Sequence, residues 1–141
     1  MTFEIAFVTK KLEELNGYIG ELTDFLKYSD EEIMQDSGKI HVAERLLQLI
    51  VDTMIDINQH FIRDLHVPLS EDFQSTFITL GDHAVLSQDF ALKLAPVVGL
   101  RNRVVHRYEG LDKRRFIELL RKNVEDFKTY IRSITKKIQK Q

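Results

Sequence analysis

The stretch KIHVAERLLQLIVDTMIDINQHFIRDL, residues 39–65, decides the fold. Ala43, Leu46, Leu47, Ile50, Met54, Ile57 and Phe61 recur at steps of three and four residues. An α-helix advances about 100° per residue, so these positions form one apolar stripe. Val51, Ile55 and Ile62 add a second. A helix apolar over so much of its surface lies at the centre of a bundle or packs against a partner. A dimer of such helices is one way to cover both stripes.

Upstream, residues 2–28 read as a first helix, with Ile5, Val8, Leu12, Leu15, Ile19, Leu22 and Leu26 in register. Gly17 and Gly20 lower its propensity by up to about 1 kcal/mol each and permit close helix approach. Ser29 and Glu32 have the spacing of a capping box, and Asp36-Ser37-Gly38 reads as a break. Downstream, Val67-Pro68-Leu69 ends the long helix. Ser70 is the expected cap of the next one, with Glu71 and Asp72 favouring the positive end of its dipole. That helix is expected to stop at Gly81. Ser87 should cap a helix that Pro96 kinks, because proline lacks the amide donor and crowds the preceding turn. After Gly110-Leu111, Asp112 should cap a last helix to about residue 138, burying Phe116, Leu119, Leu120, Val124, Phe127, Ile131 and Ile134. The remaining Phe residues, Phe7 and Phe73 among them, read as core. The expectation is an all-α chain forming one domain over residues 1–141.

Composition agrees. Six Gly and two Pro in 141 residues leave long segments uninterrupted. The absence of cysteine excludes a disulfide framework, Cys-based zinc and thiol catalysis. No apolar run approaches the roughly 20 residues that span a bilayer, and the first residues lack a basic-then-apolar secretion pattern. The chain reads as cytoplasmic. Its net charge of −2 conceals an asymmetry: residues 1–92 hold 6 Lys/Arg against 17 Asp/Glu, and residues 93–141 hold 14 against 5. A basic third on an acidic body either attracts polyanions or pairs with acidic helices of its own fold.

Chemistry concentrates in Leu100-Arg101-Asn102-Arg103-Val104-Val105-His106-Arg107-Tyr108. On a helix, Asn102 and His106 share a stripe, and Arg101 and Tyr108 share a neighbouring one. Cleavage of RNA by its own 2′-hydroxyl needs a group that moves protons near neutral pH, the province of histidine. It also needs a cation for the anionic phosphorane, which the planar fork of arginine supplies. Spacing alone equally allows an arginine in surface ion pairs and a histidine bonded to a backbone carbonyl. Polar Glu44, Asp56 and Asn58 on the long helix either line a cleft and orient Arg101 or pair within the bundle. His41, His60, His66 and His83 show no metal-ligand spacing. They read as surface or half-buried helix residues. No glycine-rich phosphate loop is present.

The segment resembles the R-N-x-x-x-H-x-Y motif of the HepT-like toxins within the HEPN superfamily. The Ala43-Glu44-Arg45-Leu46-Leu47-Gln48 opening of the long helix, its Asp56-Ile57-Asn58 centre, the Pro68 to Phe73 connection and Gly110-Leu111-Asp112 agree with it. The resemblance implies a four- to five-helix bundle, a homodimer and metal-independent endoribonuclease activity without a cofactor. It further implies Arg101 and His106 as the catalytic pair, Asn102 as their support, and Tyr108 as the residue adenylylated by a minimal nucleotidyltransferase antitoxin. Arg103, Arg107, Lys113, Arg114 and Arg115 are then expected to flank the cleft and hold RNA phosphates. The competing readings are a non-catalytic HEPN module that binds RNA, nucleotide or a partner, and a plain helical interaction protein.

Overall fold

The computed structural model describes residues 3–69, 72–106 and 112–140, with the side chains of Val105 and His106 outside that description. Seven helices and no strand appear among the described residues: α1 (Ile5–Phe25), α2 (Asp30–Met34), α3 (Ser37–Asp64), α4 (Phe73–Asp82), α5 (Gln88–Leu94), α6 (Val97–His106) and α7 (Lys113–Gln139). The all-α expectation holds. Three long helices, α1, α3 and α7, with the shorter α4, the α5–α6 pair and the one-turn α2 make up the bundle.

Local chemistry sets the boundaries. Ser29 and Glu32 form the expected capping box at α2: Glu32 N–H donates to the Ser29 hydroxyl at 3.1 Å, and Ser29 N–H to Glu32 Oε1 at 3.0 Å. Ser87 caps α5 and Asp112 caps α7, both as expected. Asp36 does more than break the chain. Its carboxylate accepts from the amides of Gly38 and Lys39, so it starts α3. Asp72 caps α4 by accepting from Gln74 N–H; Ser70 lies outside the described residues. Pro96 separates two helices where one kinked helix was expected, since α5 ends at Leu94 and α6 starts at Val97.

α3 is the central element. α1 packs against it on one side and α4 and α6 on another, with α2 at its start. Both apolar stripes are therefore covered by the chain's own helices. Val51, Ile55 and Ile62 are as buried as Leu47, Ile50 and Phe61. The two stripes thus supply no argument for a dimer through this helix. α7 closes the bundle over α1 and α2. Its buried face includes Phe116, Ile117, Leu120, Phe127, Tyr130 and Ile134, whereas Leu119, Val124 and Ile131 are half-buried.

Three sequence expectations change. Asn58 is wholly buried: its amide donates to Thr76 Oγ1 at 3.1 Å and its carbonyl accepts from the Tyr130 hydroxyl at 2.6 Å. It ties α3, α4 and α7 together and lines no cleft, because a buried amide needs internal partners. Burial holds the Tyr130 phenol neutral, far above its ordinary range. His60 is also buried. Its Nε2 accepts the Glu4 amide at 3.1 Å, and its ring sits between Phe3 and Phe7, so the start of α1 is pinned to α3. Burial lowers its pKa, in keeping with a neutral ring that accepts at Nε2. Gly17 and Gly20 are exposed with nothing near a would-be Cβ, so they mediate no close helix approach.

Candidate active site

The site is built where α6 crosses α3. Leu100 and Val104 point into the core and hold α6 in place, while Arg101 and Asn102, half-buried, face outward beside α3. Arg101 is not a loose surface charge. Its Nε donates to Asp52 Oδ1 at 2.9 Å, its Nη2 forms an ion pair with the same oxygen at 2.6 Å, and its Nη1 donates to Asn102 Oδ1 at 2.8 Å. The Phe73 ring, at the start of α4, lies 5.9 Å from the guanidinium carbon. Three elements therefore fix one side chain that is only 18% exposed. Such a guanidinium keeps its plane and direction without a ligand, as stabilisation of a developing phosphorane charge requires.

Asn102 lies beside Arg101 and accepts from its guanidinium. Nothing in the sequence marks Asp52, yet it, rather than Glu44, Asp56 or Asn58, orients Arg101. Glu44 Oε1 lies 3.2 Å from His41 Nδ1 and accepts from that nitrogen when it bears the proton. Asp56 accepts from Lys11 Nζ at 3.1 Å, an ion pair that raises the lysine pKa. Both pair within the bundle. Phe73 is 39% exposed and Phe7 36%, so neither is a core residue; the first serves as a platform under Arg101.

α6 ends at His106, about a turn and a half beyond Arg101. The His106 side chain, together with Arg107 and Tyr108, falls outside the described residues. The other expected phosphate ligands separate from Arg101. Arg103, two residues on and about 200° around the helix, faces a groove toward α7. Lys113, Arg114 and Arg115 are exposed at the start of α7. There Arg114 lies 3.8 Å from Glu31 and Arg115 3.3 Å from Glu118. Arg121 likewise bonds Asp30 and the carbonyls of Leu26 and Tyr28, so part of the basic charge of α7 is spent on acidic α2 and its flank. Among the described residues, no three His, Cys, Asp or Glu side chains gather as a metal ligand set, and no helix is long and apolar enough to cross a membrane.

The chain is similar to known proteins over most of its length. Residues 15–134 match the family model described as ribonuclease HepT-like. A tRNA nuclease HepT from Aphanizomenon flos-aquae is 31% identical over 131 residues, covering 93% of this chain and 89% of that one. An mRNA nuclease HepT from Shewanella oneidensis is 24% identical over 128 residues, covering 91% and 90%. Among solved structures, a tri-AMPylated Shewanella oneidensis HEPN toxin in complex with its MNT antitoxin superposes with a TM-score of 0.84 at 23% identity, over 91% of this chain and 96% of that one.

Proposed function

The chain belongs to the ribonuclease HepT-like family, and from that membership we propose that it is a metal-independent endoribonuclease, the toxin of a toxin–antitoxin pair. The observation that carries the reading is the fixed Arg101 guanidinium, held by Asp52 and Asn102 on the helix that ends in His106. In this mechanism the 2′-hydroxyl attacks the adjacent phosphorus as its bond to the 5′-oxygen breaks, leaving a 2′,3′-cyclic phosphate; His106 moves the proton from the attacking hydroxyl toward the leaving oxygen, and Arg101 binds the non-bridging oxygens as negative charge grows on them. Asp52 and Asn102 keep the fork aimed. The substrate class is RNA, as the names of the two relatives indicate.

The active unit is a homodimer. Supporting this, Leu69 and Phe73 leave apolar surface exposed, and Phe73 lies beside Arg101, where a second subunit would close the cleft. The partner is a minimal nucleotidyltransferase that adenylylates Tyr108. The added phosphate would place negative charge near Arg101 and compete with RNA for it.

Purified protein incubated with RNA, with and without chelator, tests the mechanism. Cleavage should survive EDTA. His106→Ala should cost about 10²–10⁴-fold, and Arg101→Ala a comparable factor, with unchanged helical content. Undiminished cleavage by His106→Ala, or its abolition by EDTA, refutes the mechanism, and no cleavage by the parent chain leaves a binding module. In the same assay, protein co-expressed with the nucleotidyltransferase should be silent and heavier at Tyr108 by mass spectrometry. Full inhibition with Tyr108 unmodified would mean simple occlusion.

A further inference from the structure

A second cationic feature lies on the other side of α6 from Arg101. Between α5–α6 and α7 runs a groove of about 420 Å³ with Lys93, Arg103 and Lys122 at its edges. Its apolar lining includes Val97, Leu100 and Leu119, and Gly99 contributes bare backbone with nothing within 4 Å of a would-be Cβ. The one carboxylate in the lining, Asp126, is nearly buried and pairs with Lys93 at 3.3 Å. Among the described residues, Arg103 and Lys122 meet no carboxylate, unlike Arg114, Arg115, Arg121 and Lys128 on the same basic third. Two uncompensated cations thus face one cleft. The described lining contains no aromatic ring, so bases find no stacking platform there.

We propose that this groove is a phosphate-binding site for single-stranded RNA, distinct from the Arg101 centre and adjoining it through α6. Arg103 and Lys122 hold backbone phosphates, and the apolar floor receives the sugar edge. Recognition is independent of sequence, because charge and shape carry it. The proposal rests on the ribonuclease reading and extends it: the strand being cut at Arg101 continues over α6 into the groove.

The test uses Arg101→Ala protein, so that the RNA stays intact, with a single-stranded oligonucleotide titrated across a range of salt. Each phosphate that the protein no longer neutralises lowers the slope of log K against log[salt] by about 0.7 for a single strand. Adding Arg103→Gln and Lys122→Gln should therefore weaken binding and flatten the slope by about 1.4, twice that decrement. Both side chains are exposed, so the fold should persist, which circular dichroism checks. A control removing equal charge farther along α7, Lys136→Gln with Lys140→Gln, should leave the slope unchanged. An unaltered slope in the groove variant overturns the site, as does an equal change in the control, which would mean a diffuse field. Absence of RNA binding by Arg101→Ala protein, if the unsubstituted chain also binds none, removes the RNA reading itself and the groove with it.

Discussion

Because Arg101 directs both Nε and Nη2 at a single oxygen of Asp52, replacing that aspartate separates aim from charge. Asp52 is 39% exposed, and an ion pair so open to water contributes about 0.2–1 kcal/mol to stability. Asp52→Ala should therefore melt close to the parent. Its cleavage rate should nevertheless fall up to about 10²-fold, since a misplaced catalytic group forfeits that much. Asp52→Asn keeps an acceptor oxygen and should retain more of kcat. A rise in KM with kcat intact would show that Asp52 serves binding and not positioning. Arg101 and Asn102 were legible in the sequence because the segment resembles the R-N-x-x-x-H-x-Y motif, which names them together. Asp52 was not, because period arithmetic relates residues of one helix and is silent on a partner 49 residues away. The same blindness hid Asn58, whose hydroxyl donor, Tyr130, sits 72 residues downstream on α7.

At the level of elements, caps were easier to read than stops. Ser29, Ser87 and Asp112 begin helices because a short polar side chain satisfies amides in its own vicinity. Gly81 misled: α4 continues through it to Asp82, and the glycine is there because a Cβ would lie 2.8 Å from Ala91 Cβ on α5. The left-handed stop is Ala84, at φ 59°, with its amide bonded to the Gly81 carbonyl and that of Val85 to Leu80. Glycine at 84 avoids the roughly 1–2 kcal/mol that a Cβ costs in this conformation. Gly81→Ala should destabilise by about 1–3 kcal/mol through overpacking, and Ala84→Gly should stabilise by up to about 1 kcal/mol, the rest being offset by the entropy of a freer unfolded chain. Urea denaturation of both variants checks the pair; Gly81→Ala as stable as the parent would mean that α4 and α5 separate easily.

Across the whole molecule, the charge asymmetry resolves into two populations. Some cations of the last third pair with α2 or with neighbours on α7, and others, Arg103 and Lys122 among them, remain free of carboxylates among the described residues. Intramolecular pairing thus accounts for part of that asymmetry, and only packing could show which part. A dimer cannot form through the broad apolar girth of α3, since α1, α4 and α6 cover that helix, and has to use other surfaces. Sedimentation at micromolar concentration should give twice the 16.5 kDa chain mass, and a monomer would remove the shared cleft from the mechanism. Bridging α3 and α6 through Arg101 and Asp52 also has a thermal meaning. A long side chain freezes at an entropic cost of up to about 2 kcal/mol, and here that ordering accompanies the docking of two helices, so an anion arriving there would meet a guanidinium whose rotamer is already chosen.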